Sequence, residues 1–236
     1  MTRSERQRQT ATIRRIFASI ATRYDLLNRL LSLGQDQAWR RYAVLQCRLP
    51  RNGRLLDVAT GTGDMALQAL RQVPDTTVIG IDLTPGMLQR AREKSVDTLD
   101  EPLPLLRGDA LDLPFSDDHF DAAISGFMAR NVGDVAAAFA EQRRVVRPGG
   151  RVVCLEITRP QVWLASCFFW AYFYGLVPLL GSLLSGHPAA YTYLPRSVAR
   201  FLTADELQAT MQTVGLREVR YRLLMLNTVA VHVGVK

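Results

Sequence analysis

Cysteine is scarce in this chain of 236 residues. Its three cysteines, Cys47, Cys154 and Cys167, lie far apart and form no CxxC pair, which argues against a disulfide framework and against a zinc site. The polar first ten residues lack the apolar stretch of a secretory signal, so the reducing cytoplasm is the expected compartment. Internal repeats and low-complexity linkers are also missing. These absences leave one ordinary α/β domain as the expected organisation.

Lysine is nearly absent, although the net charge is +7. All but two of the 29 basic residues are arginine, the exceptions being Lys94 and Lys236, and twelve arginines fall within residues 1–54. An anionic membrane surface, a nucleic acid and a merely solvated basic face all fit this distribution, because charge alone specifies no partner. Of the two partners we expect the membrane, and no nucleic acid.

Hydrophobic periodicity changes near residue 54. The preceding residues are predicted to be helical, whereas short apolar runs then alternate with helical stretches, which predicts crossover units and a parallel sheet. The last two strands are close in sequence and are expected to pair as an antiparallel hairpin at the sheet edge. The predicted strands are 54–58, 78–83, 104–109, 120–125, 151–157, 218–224 and 228–235, and the predicted helices are 64–72, 85–98, 135–146 and 204–214. A turn is predicted at 148–150, before the fifth strand.

A glycine-rich turn follows the first strand and leads into a helix. Gly61 and Gly63 permit tight turning and the close approach of a ligand to the backbone. Asp82 closes the next strand about twenty residues on, where a carboxylate can accept hydrogen bonds from ribose hydroxyls. With Ala66 these residues also fit the relaxed dinucleotide fingerprint, so an oxidoreductase that uses a nicotinamide cofactor is an alternative.

Acidic residues around this turn favour a different ligand. A dinucleotide places its pyrophosphate on the helix N-terminus, where extra negative charge is unfavourable, yet Asp57 and Asp64 flank the turn. Asp109 and Glu156 end the third and fifth predicted strands. We expect such a rim of acids to suit a cationic ligand that carries an amino group and a sulfonium.

Segments 107–115, 120–125 and 145–151, together with the turn, resemble the class I S-adenosylmethionine-dependent methyltransferases. The resemblance implies a Rossmann-like α/β fold, with a mostly parallel seven-stranded sheet, helices on both faces and an antiparallel last strand. It implies S-adenosyl-L-methionine as the cofactor, with Asp82 at its ribose and Asp109 and Ala110 at its adenine. The implied cofactor-binding residues are Asp57, Gly61, Thr62, Gly63, Asp82, Leu83, Asp109, Ala110 and Ser125.

Other segments resemble the UbiE/MenG family, whose members methylate a ring carbon of a prenylated quinol precursor of menaquinone, ubiquinone or phylloquinone. Met128 and Ala129 depart from that pattern, because they replace its usual Gly-Leu near the expected substrate pocket. Residues 225–228 stand where the family usually has glycines. The first departure leaves another lipid or a small aromatic acceptor as an alternative substrate. The matching segments are 17–28, 33–34, 39–41, 126–132, 191–198 and 201.

Methyl transfer to a ring carbon is an in-line displacement at a sulfonium. The enzyme must position both reactants and make the carbon nucleophilic, which deprotonation of the quinol hydroxyl achieves. Our hypothesis is that Arg130 stabilises the phenolate and that Asn131 orients it. Substrate contacts are expected from Tyr24, Asp25, His187 and Tyr193, the first two closing over the cofactor.

Three segments are expected to divide the chain by role. Residues 1–50 would form a helical cap over the active site and 51–236 the methyltransferase domain, in which 160–200 is an apolar, substrate-covering insertion. Stretch 162–184 is uncharged and long enough to span a bilayer. Glycines and a proline interrupt it, so we expect a cover that meets the prenyl tail or the membrane interface. The expected partners are a prenylated quinol, the inner face of a membrane through peripheral contact, and a second copy in a homodimer.

Overall fold

The computed structural model describes residues 3–99, 101–159, 175 and 188–236. Three helices precede the first strand, namely α1 (Arg3–Ile20), α2 (Tyr24–Leu31) and α3 (Asp36–Gln46). The alternating part contains β1 (Arg54–Val58), α4 (Asp64–Gln72), β2 (Thr77–Asp82), α5 (Pro85–Val96), β3 (Leu105–Arg107), β4 (Phe120–Gly126), a 3-10 turn (Ala129–Asn131), α6 (Val135–Val145) and β5 (Val146–Ile157). The last described elements are α7 (Pro188–Arg200), α8 (Ala204–Thr213), β6 (Arg217–Leu224) and β7 (Val229–Val235).

The seven strands form one sheet in the order β3-β2-β1-β4-β5-β7-β6. Strands β1 to β5 pair in parallel, and β7 runs antiparallel to both of its neighbours. This confirms the predicted mostly parallel sheet with an antiparallel last strand. The predicted hairpin also forms, but of its two strands only β6 lies at an edge of the sheet, whereas β7 lies inside it.

Each face of the sheet carries its own hydrophobic core, as expected for parallel strands covered on both sides. Leu55 and Leu56 are adjacent in β1 and both fully buried, one in each core, because successive side chains of a strand point to opposite faces. Phe139 of α6 packs in the first core with α8, and Trp39 of α3 packs in the second with α4.

The fifth strand begins earlier than the sequence predicts. Phe120 pairs with Val146 and Ala122 pairs with Arg151, so residues 147–150 form a bulge within β5 instead of a turn before it. Gly149 adopts a positive φ of 79°, and a Cβ on Gly150 would lie 2.5 Å from the Asp121 carbonyl oxygen. The glycines therefore permit a bulge that the breaker pattern alone did not distinguish from a turn.

The strand order reverses beside β1, since β2 and β3 lie on one side of it and β4 and β5 on the other. Val58 and Ser125 are in register at the carboxyl ends of β1 and β4. In open α/β sheets this switch point is where ligands bind.

The apolar cover predicted at 162–184 falls, apart from Gly175, outside the described residues, as do Cys167 and His187. Among the helices that the structure does describe, none is both long and apolar enough to cross a bilayer.

Candidate functional site

A cleft opens at the carboxyl ends of β1, β2 and β4. It encloses about 840 Å³ when the open solvent at its mouth is counted. Helices α1 and α2 contribute Phe17 and Tyr24 to its wall, so part of the predicted N-terminal cap reaches the site. The predicted cofactor residues that line the cleft are Gly61, Asp82, Leu83, Asp109 and Ala110.

Asp82 is held in the cleft wall by two backbone donors. The Gly61 N–H donates to its Oδ2 at 2.9 Å, and the Thr84 N–H donates to its Oδ1 at 2.7 Å. Burial raises the pKa of Asp82, while these two hydrogen bonds act in the opposite direction. Gly61 reaches this geometry with a positive φ of 57°, which glycine adopts at little cost. The result is a carboxylate in a fixed orientation beside the turn.

Asp57 lies beneath the turn and is only 1% exposed. Its Oδ2 accepts hydrogen bonds from the Thr60 hydroxyl at 2.6 Å and from the Ala66 N–H at 3.0 Å. Burial raises the pKa of Asp57 to about 7, although these two hydrogen bonds act to lower it. Asp57 does not line the cleft, and instead it shapes the turn from below. Ser125, another predicted cofactor contact, is fully buried at the end of β4 and does not line the cleft either.

Thr62 and Gly63 also face away from the cleft. The Thr62 side chain is 2% exposed, and its hydroxyl donates to Oδ1 of Asp25 at 2.5 Å. A Cβ on Gly63 would lie 3.2 Å from the Ala91 side chain, so the missing side chain lets α5 pack closely against the turn. These two residues contribute to the site through the path of the backbone.

Lys94 ties α5 to the turn and to α2. Its ammonium nitrogen lies 2.7 Å from Asp25 and also pairs with Asp64, while Arg40 lies 3.7 Å from Asp64. Burial alone would raise the pKa of Asp64, but Arg40 and Lys94 outweigh it and lower that pKa. No role was predicted for Lys94, because its partners Asp25 and Asp64 are 69 and 30 residues away along the chain.

The acidic rim that the sequence predicts is therefore only partly formed. Asp64 and Glu156 are each paired with cations, and Asp57 is buried beneath the turn. Of the five predicted acids, only Asp82 and Asp109 line the cleft. The negative charge available to a ligand is accordingly smaller than the sequence suggests.

Asp109 organises the loop that follows β3. Its Oδ1 accepts a hydrogen bond from the Leu111 N–H at 3.0 Å, and its carbonyl oxygen accepts one from Asp112 at 3.1 Å. A Cβ on the preceding Gly108 would lie 2.5 Å from the Ile81 side chain. A side chain at this position would have to displace Ile81, so glycine lets this loop lie against β2 and present Asp109 and Ala110 to the cleft.

Arg130 is buried behind the cleft and does not line it. Its guanidinium pairs with Glu156, which is 1% exposed on its side chain, and its backbone N–H donates to the other carboxylate oxygen at 3.2 Å. Its Nε is buried and has no hydrogen-bond partner among the described residues. The Glu156 carboxylate thus fixes the 3-10 turn at the end of β4 against β5.

Asn131 lines the cleft in a hydrogen-bonded position. Its Nδ2 donates to the Phe127 carbonyl at 2.8 Å, and its Oδ1 accepts from the Tyr193 hydroxyl at 2.9 Å. Burial raises the pKa of Tyr193. The structure thus brings together Asn131 and Tyr193, which are 62 residues apart in the sequence and which the sequence predicted separately.

Phe127 is a cleft residue that sequence reasoning missed. It follows β4 with a positive φ of 59°, and the guanidinium groups of Arg40 and Arg130 lie 5.6 and 5.3 Å from its ring centroid. Such cation–π contacts fix the ring between α3 and the 3-10 turn. Its place within the family-like segment 126–132 was the available signal. Met128, also in that segment, lines the cleft.

Solved structures with this fold support the architecture. A SAM-dependent methyltransferase from Thermotoga maritima is 21% identical, with a TM-score of 0.66 over 95% of this chain and 99% of that one. A SAM dependent methyltransferase from Aquifex aeolicus is 16% identical, with a TM-score of 0.63 over 89% and 96%. At these identities the likeness shows the fold alone.

Relatives of higher identity cover nearly the whole chain. A demethylmenaquinone methyltransferase from Roseiflexus castenholzii is 42% identical over 224 residues, which are 95% of this chain and 93% of the relative. A ubiquinone/menaquinone biosynthesis C-methyltransferase UbiE from Desulfotalea psychrophila is 39% identical over 224 residues, which are 95% and 90%. The sequence model of the ubiE/COQ5 methyltransferase family matches residues 1–236. The predicted resemblance is confirmed, and the chain belongs to the ubiE/COQ5 methyltransferase family.

Proposed function

We propose that this chain transfers the methyl group of S-adenosyl-L-methionine to a ring carbon of a prenylated quinol precursor of menaquinone or ubiquinone. The relatives described above support this acceptor class by their names. The observation that carries the proposal is a single cleft whose wall contains both the backbone-held Asp82 and Asn131, whose amide oxygen accepts a hydrogen bond from Tyr193. One ligand can therefore contact Asp82 while a second contacts the Asn131 amide, which the Tyr193 hydroxyl holds from its other side.

The cofactor half of the proposal depends on the lone pairs of Asp82. Each of its oxygens accepts one backbone N–H, and a carboxylate oxygen has a second lone pair. These remaining lone pairs can accept two ribose hydroxyls. Asp109 and Ala110 would contact the adenine, and the Gly61 backbone would lie at the methionine part.

When bound, S-adenosyl-L-methionine supplies an electrophilic methyl group. The work of the protein is then to hold the acceptor carbon in line and to favour loss of the quinol proton. Asn131 and Tyr193 would orient the quinol hydroxyl through hydrogen bonds. Arg130 would favour the phenolate from behind this pair, because a nearby positive charge lowers the pKa of an acid, while its ion-pair partner Glu156 acts in the opposite direction. The ring carbon gains the methyl group and loses its proton, which restores the aromatic ring.

A second acceptor class is favoured by Met128. This side chain lines the cleft where the family pattern usually has glycine, and it is 2% exposed. The bulkier residue changes the shape of the expected acceptor pocket. Another lipid or a small aromatic acceptor is therefore the second candidate.

Calorimetry on the purified chain tests the cofactor half. We expect S-adenosyl-L-methionine to bind and NADH not to bind, and we expect Asp82→Ala to abolish binding of the former. Binding of NADH alone would contradict the proposal.

Arg130→Ala should reduce turnover while cofactor affinity is unchanged, and full turnover in this variant would remove Arg130 from the mechanism.

Quinone profiling by mass spectrometry tests the acceptor half. A strain that lacks the gene should accumulate a demethyl quinone, and the wild-type gene should restore the methylated product. An unchanged quinone profile would instead favour the second acceptor class.

We also propose that the chain contacts a membrane peripherally, because a prenylated acceptor partitions into lipid. The arginine-rich first 54 residues support this contact.

A further inference from the structure

Helix α2 exposes leucines on the side that does not pack against the protein. Leu26 and Leu30 are 56% and 43% exposed and lie four residues apart, so they share one helix face. Leu33, just beyond the helix, is 78% exposed. Leu27 is instead buried against Ile20 of α1. We call Leu26, Leu30 and Leu33 the leucine stripe; contiguous exposed apolar surface of this kind marks interaction sites.

Arginines border the leucine stripe. Arg23 and Arg29 are exposed, and at 3.6 residues per turn they fall on either side of the line from Leu26 to Leu30. Residues 1–36 contain seven arginines against three acids, which gives a net +4 out of the chain total of +7. Two of these acids pair with cations within the protein: Asp25 with Lys94, and Asp36 with Arg40 and, at 3.7 Å, with Arg29 itself. The field around the stripe is therefore positive.

The leucine stripe lies close to the mouth of the cleft. Tyr24 belongs to the same helix and lines the cleft, and its ring packs edge-on against Phe17 at 5.9 Å. At 100° per residue, Leu26 and Leu30 point roughly opposite to Tyr24. A single helix, about 10 Å across, thus separates the stripe from the cleft.

We propose that the leucine stripe docks on an anionic lipid bilayer, with Arg23 and Arg29 at the lipid phosphates and the leucines at the acyl boundary. Amphipathic helices with a basic rim bind membranes in this way. The proposal rests on the proposed function, which supplies a lipid-soluble acceptor. Docking here would place the mouth of the cleft beside the bilayer that holds the acceptor.

Charge favours lipid over a second copy of the chain at this surface. A twofold contact would bring each patch against itself, so that Arg23 and Arg29 of one copy would approach the same arginines of the other. Like charges brought together in this way oppose association. An anionic membrane presents the complementary charge.

Co-sedimentation of the full chain with vesicles tests the docking surface. We expect binding to vesicles that contain phosphatidylglycerol and little binding to pure phosphatidylcholine. The double variant Leu26→Asp/Leu30→Asp should partition at least about tenfold more weakly, since it loses two apolar contacts and gains two negative charges. Arg23→Gln/Arg29→Gln should weaken binding and flatten its dependence on salt.

Leu45→Asp is the matched control. Leu45 is 59% exposed but lies at the end of α3, where Arg151 donates to the Gln46 carbonyl. This place is near the amino ends of β1 and β4, opposite the cleft at their carboxyl ends. This variant should bind vesicles like the wild type. Because none of the substituted leucines lines the cleft, cofactor titration should be unchanged in all the leucine variants and serves as the check on folding.

Equal vesicle binding by the wild type and the Leu26→Asp/Leu30→Asp variant would overturn the proposal, as would a wild type that ignores anionic vesicles. Sedimentation that shows a wild-type dimer and a monomeric double variant would assign the stripe to self-association, and thus to the predicted homodimer. Turnover of a short-chain, water-soluble quinol without vesicles tests the proposed function separately. If the wild type binds vesicles but does not turn over this quinol, the proposed function is contradicted. If it turns over the quinol but does not bind vesicles, the docking surface is contradicted.

Discussion

The ammonium nitrogen of Lys94 lies 2.7 Å from Oδ2 of Asp25, and Oδ1 of the same carboxylate accepts the Thr62 hydroxyl. One carboxylate on α2 therefore holds both α5 and the glycine-rich turn. The Lys94 and Asp25 side chains are only 18% and 25% exposed, so water screens their attraction less than it would at the surface. This contact fixes the cap to the part of the site where the cofactor is proposed to bind.

Lys94→Met should weaken the binding of S-adenosyl-L-methionine about tenfold, equivalent to about 1.4 kcal/mol. The substitution leaves Asp25 and Asp64 near each other without their shared cation, which loosens α2 from the turn. Isothermal titration calorimetry measures the change. Asp25→Asn should weaken cofactor binding by a smaller factor in the Lys94→Met background than in the wild type, because both substitutions remove the same contact.

Arg90→Met is the control for Lys94, because Arg90 pairs with Glu93 on the exposed side of the same helix. Exposed pairs contribute little, so its cofactor affinity should equal that of the wild type. Equal affinity in Lys94→Met as well would show that the contact with Asp25 does not position the turn.

Tyr193→Phe should lower kcat about tenfold and leave the affinity for the cofactor unchanged. The substitution removes the hydroxyl that donates to Asn131, so the amide keeps only its hydrogen bond to the Phe127 carbonyl while the Asp82 side of the cleft stays intact. Steady-state kinetics with a quinol acceptor give kcat, and calorimetry gives the affinity. Tyr221→Phe, which removes a hydrogen bond to Asp205 outside the cleft, should leave both unchanged. Weakened cofactor binding with normal kcat in Tyr193→Phe would contradict the assignment.

Asp57→Asn should change the pH dependence of stability. The folded-state pKa of Asp57 is about 7 against an ordinary value of 3.8, so between these values the unfolded chain releases a proton that the folded chain keeps. The stability of the wild type relative to Asp57→Asn should therefore fall as pH rises from 4 to 7, by at most about 1.4 kcal/mol per pH unit. Above pH 8 the difference should be constant. Urea denaturation of both proteins across this pH range measures the difference between their free energies of unfolding. A difference that does not change with pH would mean that the folded-state pKa of Asp57 is close to its ordinary value.

Leu226→Gly should raise the free energy of unfolding by about 0.5–1 kcal/mol. Met225, Leu226 and Asn227 all adopt positive φ, at 44°, 51° and 64°, a conformation that disfavours side chains other than asparagine. Leu226 is 84% exposed, so glycine removes strain and loses little packing. Asn227→Gly should change stability less, since asparagine tolerates this conformation. A destabilised Leu226→Gly protein would show that the leucine side chain makes a contact that outweighs the strain.

Local patterns were the reliable part of the sequence prediction. Gly61, Gly63 and Asp82 were predictable because the glycine-rich turn and Asp82 each follow a strand that has a clear hydrophobic pattern. The parallel sheet followed from the same alternation. The bulge at 147–150 was not predictable, because proline and glycine mark a turn and a bulge alike.

Charge compensation could not be read from the sequence. The acids at Asp64 and Glu156 were predicted to face a cationic ligand, but their partners Lys94 and Arg130 are 30 and 26 residues away along the chain. Which acid meets which base depends on how helices pack across the sheet. The same packing decides that Asn131 lines the cleft while the adjacent Arg130 does not.

The insertion of β7 between β5 and β6 has a consequence for synthesis on the ribosome. Residues 229–235 fill a place inside the sheet, so a nascent chain that ends before them leaves β5 with an unpaired edge. Exposed strand edges promote association between chains. The earlier strands must therefore wait for residues 229–235 to emerge before the sheet can close, and a chain released before that point is expected to aggregate.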